Sequence, residues 1–301
     1  MGGGGGGGPT VPTALLALSS TNAQDISSGA TLTGLGASSL GSQFQNALVT
    51  THALPRTHVL ARFVAREIGR LTQGLTSLPP ALLGAAAVTS PCTVSGMVTL
   101  DQGTTSATET FSACSETAGS SVNGTITIDN MTLSQGVSFS GSAGLNLTFS
   151  QTGSTDVTIT GSNVNVLETV NVSINTVTLS GTEVFATTGP LVERLGGFTL
   201  VAILDPSTET DNVTFNYAST KIGGSVDVST VTPCVTDNAD SRNFPRTGVL
   251  SLSGAGGSKV QVTINGDETF TTSSQVTIGV DANGDGTFES TISRNWADLS
   301  L

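Results

Sequence analysis

Beyond Pro91, hydrophobic and polar residues alternate along the chain with a period of two. Valine, leucine, isoleucine and phenylalanine take every second position in many segments, and threonine, serine and asparagine stand between them. Such alternation is typical of strands that bury one face, and therefore of an antiparallel sheet. The clearest sets are Leu145, Leu147 and Phe149; Val157 and Ile159; Val213, Phe215 and Tyr217; Val226 and Val228; Val260, Val262 and Ile264; and Val276, Ile278 and Val280.

Turn signals separate the alternating segments at intervals of about ten to fifteen residues. Examples are the signals at residues 102–103, 153–154, 205–206 and 254–257. This spacing predicts a mainly β protein: an antiparallel meander of roughly a dozen or more strands that forms a large barrel or a sandwich. Residues 198–204 are apolar on both faces and are predicted to form a central strand.

The period changes to three and four residues before the sheet region. Thr57 is a plausible cap for a helix there, and Pro79 prevents its continuation. The predicted amphipathic helix has an apolar face formed by Leu60, Phe63, Val64, Ile68, Leu71 and Leu75. The chain thus divides into a flexible glycine-rich tether (1–12), an irregular and helical N-terminal segment (13–90) and an antiparallel β domain (91–301).

Charge is sparse and unevenly distributed. Only 11% of the 301 residues are charged, and the net charge is −12. Residues 1–90 carry four arginines against two acids, whereas residues 91–301 carry six basic and twenty acidic residues. Because an acidic body repels phosphate backbones, nucleic acid is not an expected partner. Arg62, Arg66 and Arg70 line one face of the predicted helix, which is either solvated or docked on the acidic β body or on anionic lipid headgroups.

The chain opens with MGGGGGGGPT. A glycine run followed by proline behaves as a flexible leash with a stiffer end. It is either a cloning linker or disordered start, or the tether of a bacterial lipoprotein in which Met1 stands where the lipidated cysteine was. The second interpretation predicts a membrane partner reached through a lipid anchor and a place in the cell envelope, anchored to the outer membrane and facing the periplasm or the surface.

Three cysteines are present, at positions 92, 114 and 234. Cys92 and Cys114 are equidistant from Gly103, so that in a hairpin centred there they lie opposite each other. We therefore expect a Cys92–Cys114 disulfide, which suits an oxidising envelope compartment. Cys234 is left over as a buried small residue, and no spacing of cysteine and histidine indicates zinc.

The segment DANGDGTFE contains a candidate calcium loop. Asp281, Asn283 and Asp285 stand at alternate positions, Gly286 permits a sharp bend, and Glu289 is the ninth residue. The twelfth position of a helical EF-hand is not acidic here, so the loop is expected to close at Glu289 within a β-hairpin, as in integrin-type calcium repeats. The alternative is a plain hairpin turn whose Asn-Gly and Asp-Gly steps supply positive φ angles.

Two stretches carry a family resemblance: FPRTGVLSLSGAGGSKVQVTI and VTIGVDANGDGTFESTISRNWADL. Together with the glycine-rich start and the cysteine-flanked first hairpin, they make the chain similar to a group of uncharacterised bacterial envelope lipoproteins. The resemblance implies a lipid-anchored envelope protein and carries no activity with it. Cys234 departs from the pattern of the group.

The residues usually needed for nucleophilic catalysis are scarce. The two histidines, His52 and His58, both precede the β domain, and there is no nucleophile elbow. We therefore expect a non-enzymatic envelope protein with a structural, adhesive or binding role. The alternatives are a carrier of a hydrophobic ligand or lipid inside the β body, a carboxylate-dependent hydrolase, or a flat threonine and serine face for ice or glycan surfaces. An envelope protein partner fits the first of these.

Overall fold

The computed structural model describes residues 9–38, 87–115, 118–134, 138–171, 174–237, 245–265 and 275–295. They form one α-helix, one short 3₁₀ turn (Ala255–Gly257) and one sheet of fourteen antiparallel strands, in which each strand pairs with its neighbours in sequence. The elements are α1 (Ala23–Ser38), β1 (Val88–Pro91), β2 (Ser95–Gln102), β3 (Ala107–Ser115), β4 (Ser120–Ser134), β5 (Ser138–Gln151), β6 (Val157–Asn171), β7 (Ile174–Thr188), β8 (Leu191–Leu204), β9 (Thr208–Ser219), β10 (Gly224–Asp237), β11 (Pro245–Ser253), β12 (Lys259–Asn265), β13 (Gln275–Asp281) and β14 (Ser290–Asn295).

The predicted antiparallel meander is confirmed, and the sheet is open. Among the described strands, β1 pairs with β2 alone and β14 pairs with β13 alone, so no hydrogen bonds close the sheet into a barrel. The two edge strands are the shortest elements of the sheet, with four and six residues. Short edges limit the row of unpaired backbone groups that another chain can join.

The alternation predicted from the sequence gives the sheet one buried face. The apolar residues of β12 and β13 are all buried, and their polar neighbours are more exposed, except for Asp281 at the end of β13. Burying one such side chain stabilises the fold by about 1.5–3 kcal/mol. Residues 198–204 lie in β8, in the middle of the sheet as predicted, and their second apolar face is not buried, since Ile203 is 36% exposed. The apolar residues on the outer face of β8 reflect the strand preference of β-branched side chains rather than a second core.

The helix α1 packs on the buried face of the sheet, against β8, β9, β12 and β13. Ala23, Ile26 and Ala30 form its buried stripe, at spacings of three and four residues. Gly29 allows the close approach, since a Cβ there would lie 2.5 Å from Tyr217 Oη. The sequence reasoning missed α1, whose serine, threonine and glycine content is unfavourable for a helix. The helix predicted after Thr57 and the glycine run lie outside the described residues.

A short N-terminal strap, residues 13–18, holds α1 in place. The backbone of Ser225, at the start of β10, donates to Ala14 and accepts from Leu16, at 2.9 Å in both bonds. The backbone N–H of Leu18 donates to Ser258 Oγ at 2.9 Å. These bonds satisfy backbone groups that burial would otherwise leave without partners. The strap therefore forms part of the folded body, beyond the predicted tether.

The predicted Cys92–Cys114 disulfide is confirmed. The hairpin predicted around Gly103 is present, because β2 pairs with β3 across a turn that starts at that residue, but Cys92 lies in the turn between β1 and β2 and not on β2 opposite Cys114. The bond therefore reaches across from the β1–β2 turn to the end of β3. Closing a loop of this length stabilises the fold by about 3 kcal/mol, mainly by restricting the unfolded chain.

Thiol titration tests this arrangement. Cys234 is buried, and burial, with a smaller effect of the Asp211 carboxylate, raises the pKa of its thiol to about 12. We expect no reaction of the native protein with Ellman's reagent at pH 8, because the thiolate is the reactive form. Unfolding without reductant should expose one thiol per chain, and prior reduction should expose three. Three thiols without reduction would contradict the disulfide.

Candidate functional site

The candidate metal loop joins β13 to β14. β13 ends at Asp281 and β14 begins at Ser290, and the backbone N–H of Glu289 donates to the Val280 carbonyl at 2.9 Å to close the base of the loop. Gly284 and Gly286 both have positive φ angles, 77° and 90°, which other residues rarely adopt. The two glycines thus permit the chain to turn tightly enough for side chains to point inward.

Asp281 is the buried anchor of the loop. The residue is only 1% exposed, and its two carboxylate oxygens each accept a backbone N–H bond. Gly284 donates to Oδ1 at 2.7 Å, and Gly286 donates to Oδ2 at 2.9 Å. Bonds from N–H groups to a carboxylate are among the stronger hydrogen bonds in proteins. Asp281 therefore organises the loop around its own negative charge.

The side chains of Asn283 and Asp285 also accept backbone N–H bonds, on the exposed side of the loop. Asn283 Oδ1 accepts the backbone N–H of Asp285, and Asp285 Oδ1 accepts that of Thr287, both at 2.8 Å. The Thr287 N–H, followed by the Asn283 side chain, lowers the pKa of Asp285. The stability contributed by the bonds to the Asp285 carboxylate is therefore present above the ordinary carboxyl pKa. It is lost as the pH falls through the lowered pKa of Asp285.

The loop brings three carboxylates together. Asp281, Asp285 and Glu289 each offer an oxygen, and these oxygens lie within 4.8 Å of one another. Glu289 is held by the backbone N–H of Ala282, which donates to Oε2 at 2.9 Å. Asn283 Nδ2 donates to Asp285 Oδ2 at 3.1 Å, so the amide also lies beside the cluster. The four residues predicted from spacing thus share one loop, and three of them form an acidic cluster able to hold a metal ion.

Sequence reasoning missed the carboxylates on the buried face of the sheet. Tyr217 donates its hydroxyl to Glu193 Oε1 at 2.6 Å, and burial, followed by the charge of Glu193, raises the pKa of Tyr217. Glu168 Oε1 accepts from Asn175 Nδ2 at 2.7 Å. The sequence contains one signal that could have found them: several of these acids stand two residues from core residues of the same strand and therefore share its buried face. Besides Asp281, the buried acids are Glu109, Glu168, Glu193, Glu209 and Asp211.

Comparisons with known proteins do not extend these observations. No protein-family model matches the chain, and no curated protein or solved structure matches it either. In the part of the chain that the structure describes, no helix has the length and apolar character needed to cross a membrane. The class defined by fold and site is therefore a single-sheet antiparallel β protein with an acidic loop at its last hairpin.

Proposed function

We propose that this chain is a non-enzymatic, calcium-binding protein of the bacterial cell envelope with a structural, adhesive or binding role. The observation that carries the proposal is the acidic loop, where three carboxylate oxygens lie within 4.8 Å of one another. Backbone N–H groups already donate to each of these carboxylates, and a cation between them would offset their remaining mutual repulsion. The ion's role would be to hold the last hairpin of the sheet in place.

The donor set favours calcium over other metals. Asp281, Asn283, Asp285 and Glu289 supply only oxygen, which is the ligand type of hard cations. Thiolate and imidazole ligands, which zinc and copper prefer, do not occur in the loop. Magnesium needs a nearly ideal octahedron, whereas calcium accepts six to eight oxygens in irregular arrangements. A loop built from alternating side chains, with a backbone carbonyl and water in addition, fits the less demanding ion.

The disulfide supports a place outside the cytoplasm, and the proposed calcium loop suits the same place. Disulfides persist mainly in oxidising compartments. Loops of low affinity for calcium are typical of extracellular modules, where the ion is abundant. The glycine run supports attachment through a lipid anchor, with the membrane as the first partner and another envelope protein as a second. The hydrophobic-ligand carrier stays a prediction, although α1 already covers part of the buried face where such a ligand would lie.

Calorimetric titration tests the calcium proposal. We expect the wild type to bind calcium with a dissociation constant of about 0.1–1 mM and to melt at a higher temperature when calcium is present. Asp285→Ala should weaken binding at least tenfold, because it removes one of the three carboxylates. Asp101→Ala, at an exposed position on β2, is the matched control for the lost charge and should bind as the wild type does.

Two results would contradict the proposal. The first is the absence of both heat and thermal stabilisation in the wild type at 10 mM calcium. The second is calcium binding that Asp285→Ala leaves unchanged, because the ion would then lie elsewhere on the acidic surface. Magnesium at the same concentration serves as the ion control and is expected to produce a weaker effect.

A further inference from the structure

The apolar face of the sheet is buried well beyond the strands that α1 contacts. The main contacts of α1 are with β8, β9, β12 and β13. On β4–β7, the inward side chains of Ile126, Leu147, Ile159 and Leu179 are at most 4% exposed. A sheet face of this kind is stabilised by packing against another layer of structure. A covering layer in addition to α1 is therefore expected over β4–β7.

Buried carboxylates lie on the same face. Glu168 on β6 pairs in register with Val177 on β7, and Asp211 on β9 pairs with Ala202 on β8. Val177 and Ala202 are themselves register partners, so the two acids lie in one line across β6–β9. Because neighbouring strands are about 4.8 Å apart, the two acids are separated by about 14 Å along the sheet. Glu209 stands two residues before Asp211, and we call these three buried acids the acidic row.

The positive charge that complements the acidic row is concentrated in one stretch of the chain. A buried carboxylate is favourable only with positive charge or hydrogen-bond donors facing it. The basic residues of the described part of the chain are engaged elsewhere or exposed. Their partners are Glu183 for Arg194, Asp25 for Lys221, Asp237 for Arg246 and Gln24 for Arg294, and Lys259 is exposed. Four of the other five basic residues are arginines within residues 39–86, where Glu67 is the one acid.

The ends of this stretch lie on opposite sides of the region to be covered. It begins where α1 ends, at Ser38, and the described chain resumes at residue 87, directly before β1 at the edge of the sheet. β8, which α1 contacts, is seven strands from β1 in the sheet order, or about 34 Å. A helix over residues 57–78 would be about 33 Å long. The stretch is therefore long enough to cross the buried face between these two points.

From these observations we infer that residues 57–78 dock as a helix on the buried face of the sheet, with Arg62, Arg66 and Arg70 directed at the acidic row. Arginines placed every four residues span about 12 Å over three positions of a helix. This length is close to the separation of Glu168 and Asp211. Guanidinium groups bind carboxylates through paired hydrogen bonds, and long arginine side chains extend past the edge of a helix whose apolar face is buried.

α1 leaves room for this second element. Gly29 of α1 packs on Tyr217, which stands six residues after Asp211 on the same strand. Six residues of a strand extend over about 20 Å, whereas a helix with its side chains is about 10–12 Å wide. The acidic row and the contact of α1 on β9 thus lie far enough apart for two helices side by side.

The docked segment bears on how the protein meets a membrane. Docking commits the arginines to the sheet, so that they are not available to anionic lipid headgroups and attachment depends on the proposed lipid anchor. It also fills part of the apolar face where a hydrophobic ligand would lie. The inference does not rest on the calcium proposal, because none of the residues that carry it belongs to the acidic loop.

Hydrogen exchange followed by mass spectrometry of the full chain tests the docking. In the wild type, without lipid, we expect amides of residues 57–78 to exchange at least a hundredfold more slowly than in the unfolded chain. Arg66→Glu and the shape-conserving Asp211→Asn should each speed that exchange about tenfold or more, because each removes one side of a charge-assisted hydrogen bond. Two controls should leave it unchanged: Arg56→Glu, which precedes the predicted helix, and Asp101→Asn, at an exposed position on β2.

Amides of β12 and β13 report global folding and should stay protected in every variant, so that a loss confined to residues 57–78 means release of that segment. The inference would be overturned by exchange of this segment at the unfolded rate in the wild type. Protection that neither Arg66→Glu nor Asp211→Asn changes would also overturn it. Protection that appears only with phosphatidylglycerol vesicles would assign the arginines to lipid, and protection that rises with protein concentration would assign them to a second copy of the chain. Either result contradicts docking on the sheet of the same chain.

Discussion

Replacing Ile26 by Asp should lower the free energy of unfolding by about 3–5 kcal/mol, because an unpaired charge would be placed in the core. Ile26 is 1% exposed and belongs to the same apolar cluster as the core residues of the sheet. The helix sequence has little intrinsic tendency to fold, so packing against the sheet must supply its stability. We therefore expect the charge to detach α1. Urea unfolding followed by far-ultraviolet circular dichroism measures this loss of stability.

Asp25→Ala is the control on the same helix. Asp25 is exposed, and its ion pair with Lys221 spans 3.9 Å between side chains that are 68% and 61% exposed. Pairs of this kind contribute about 0–1 kcal/mol, so the control should unfold close to the wild type. Limited proteolysis adds a second measurement, in which Ile26→Asp should expose residues 19–38 to cleavage. Equal stability of the two variants would mean that α1 does not pack on the sheet.

The sheet was predictable because the alternation of apolar and polar residues within each strand indicates which face of that strand is buried. Residues such as Val262 and Ile278 alternate with polar neighbours, and this local signal survives without knowledge of any partner strand. The open form of the sheet was not predictable in the same way. Whether the first and last strands meet depends on accumulated twist and on edge lengths, which no single segment encodes. The helix α1 was missed because its burial depends on the sheet and its propensity is weak.

The acidic loop was predictable for a similar reason. Asp281, Asn283, Asp285 and Glu289 lie within nine residues, so local turn chemistry alone brings them together. Buried acids such as Glu168 and Glu193 lie on separate strands, so their surroundings depend on strand pairing that no local segment encodes. The disulfide was predictable in part. Its pairing follows from the separation of the two cysteines along the chain, whereas the place of Cys92 in the fold depends on where β1 turns into β2.

Asp281→Ala should destabilise the protein even without a metal ion. The substitution leaves the backbone N–H groups of Gly284 and Gly286 without the carboxylate that now accepts both. Each hydrogen bond to a charged group contributes about 1.5–3 kcal/mol, and water reaching the loosened loop should recover part of that. We expect a net loss of about 2–4 kcal/mol in the free energy of unfolding, measured by urea denaturation in EDTA.

Calcium should then separate the two roles of Asp281. If the ion binds at the loop, the wild type gains stability on addition of calcium, whereas Asp281→Ala gains none, so the gap between them widens. Asp285→Ala provides the matched comparison, because this exposed residue can lose its carboxylate with a smaller effect in EDTA but should also lose the response to calcium. A gap between wild type and Asp281→Ala that stays constant as calcium is added would show that Asp281 only organises the turn. Its two backbone bonds would then account for its whole effect.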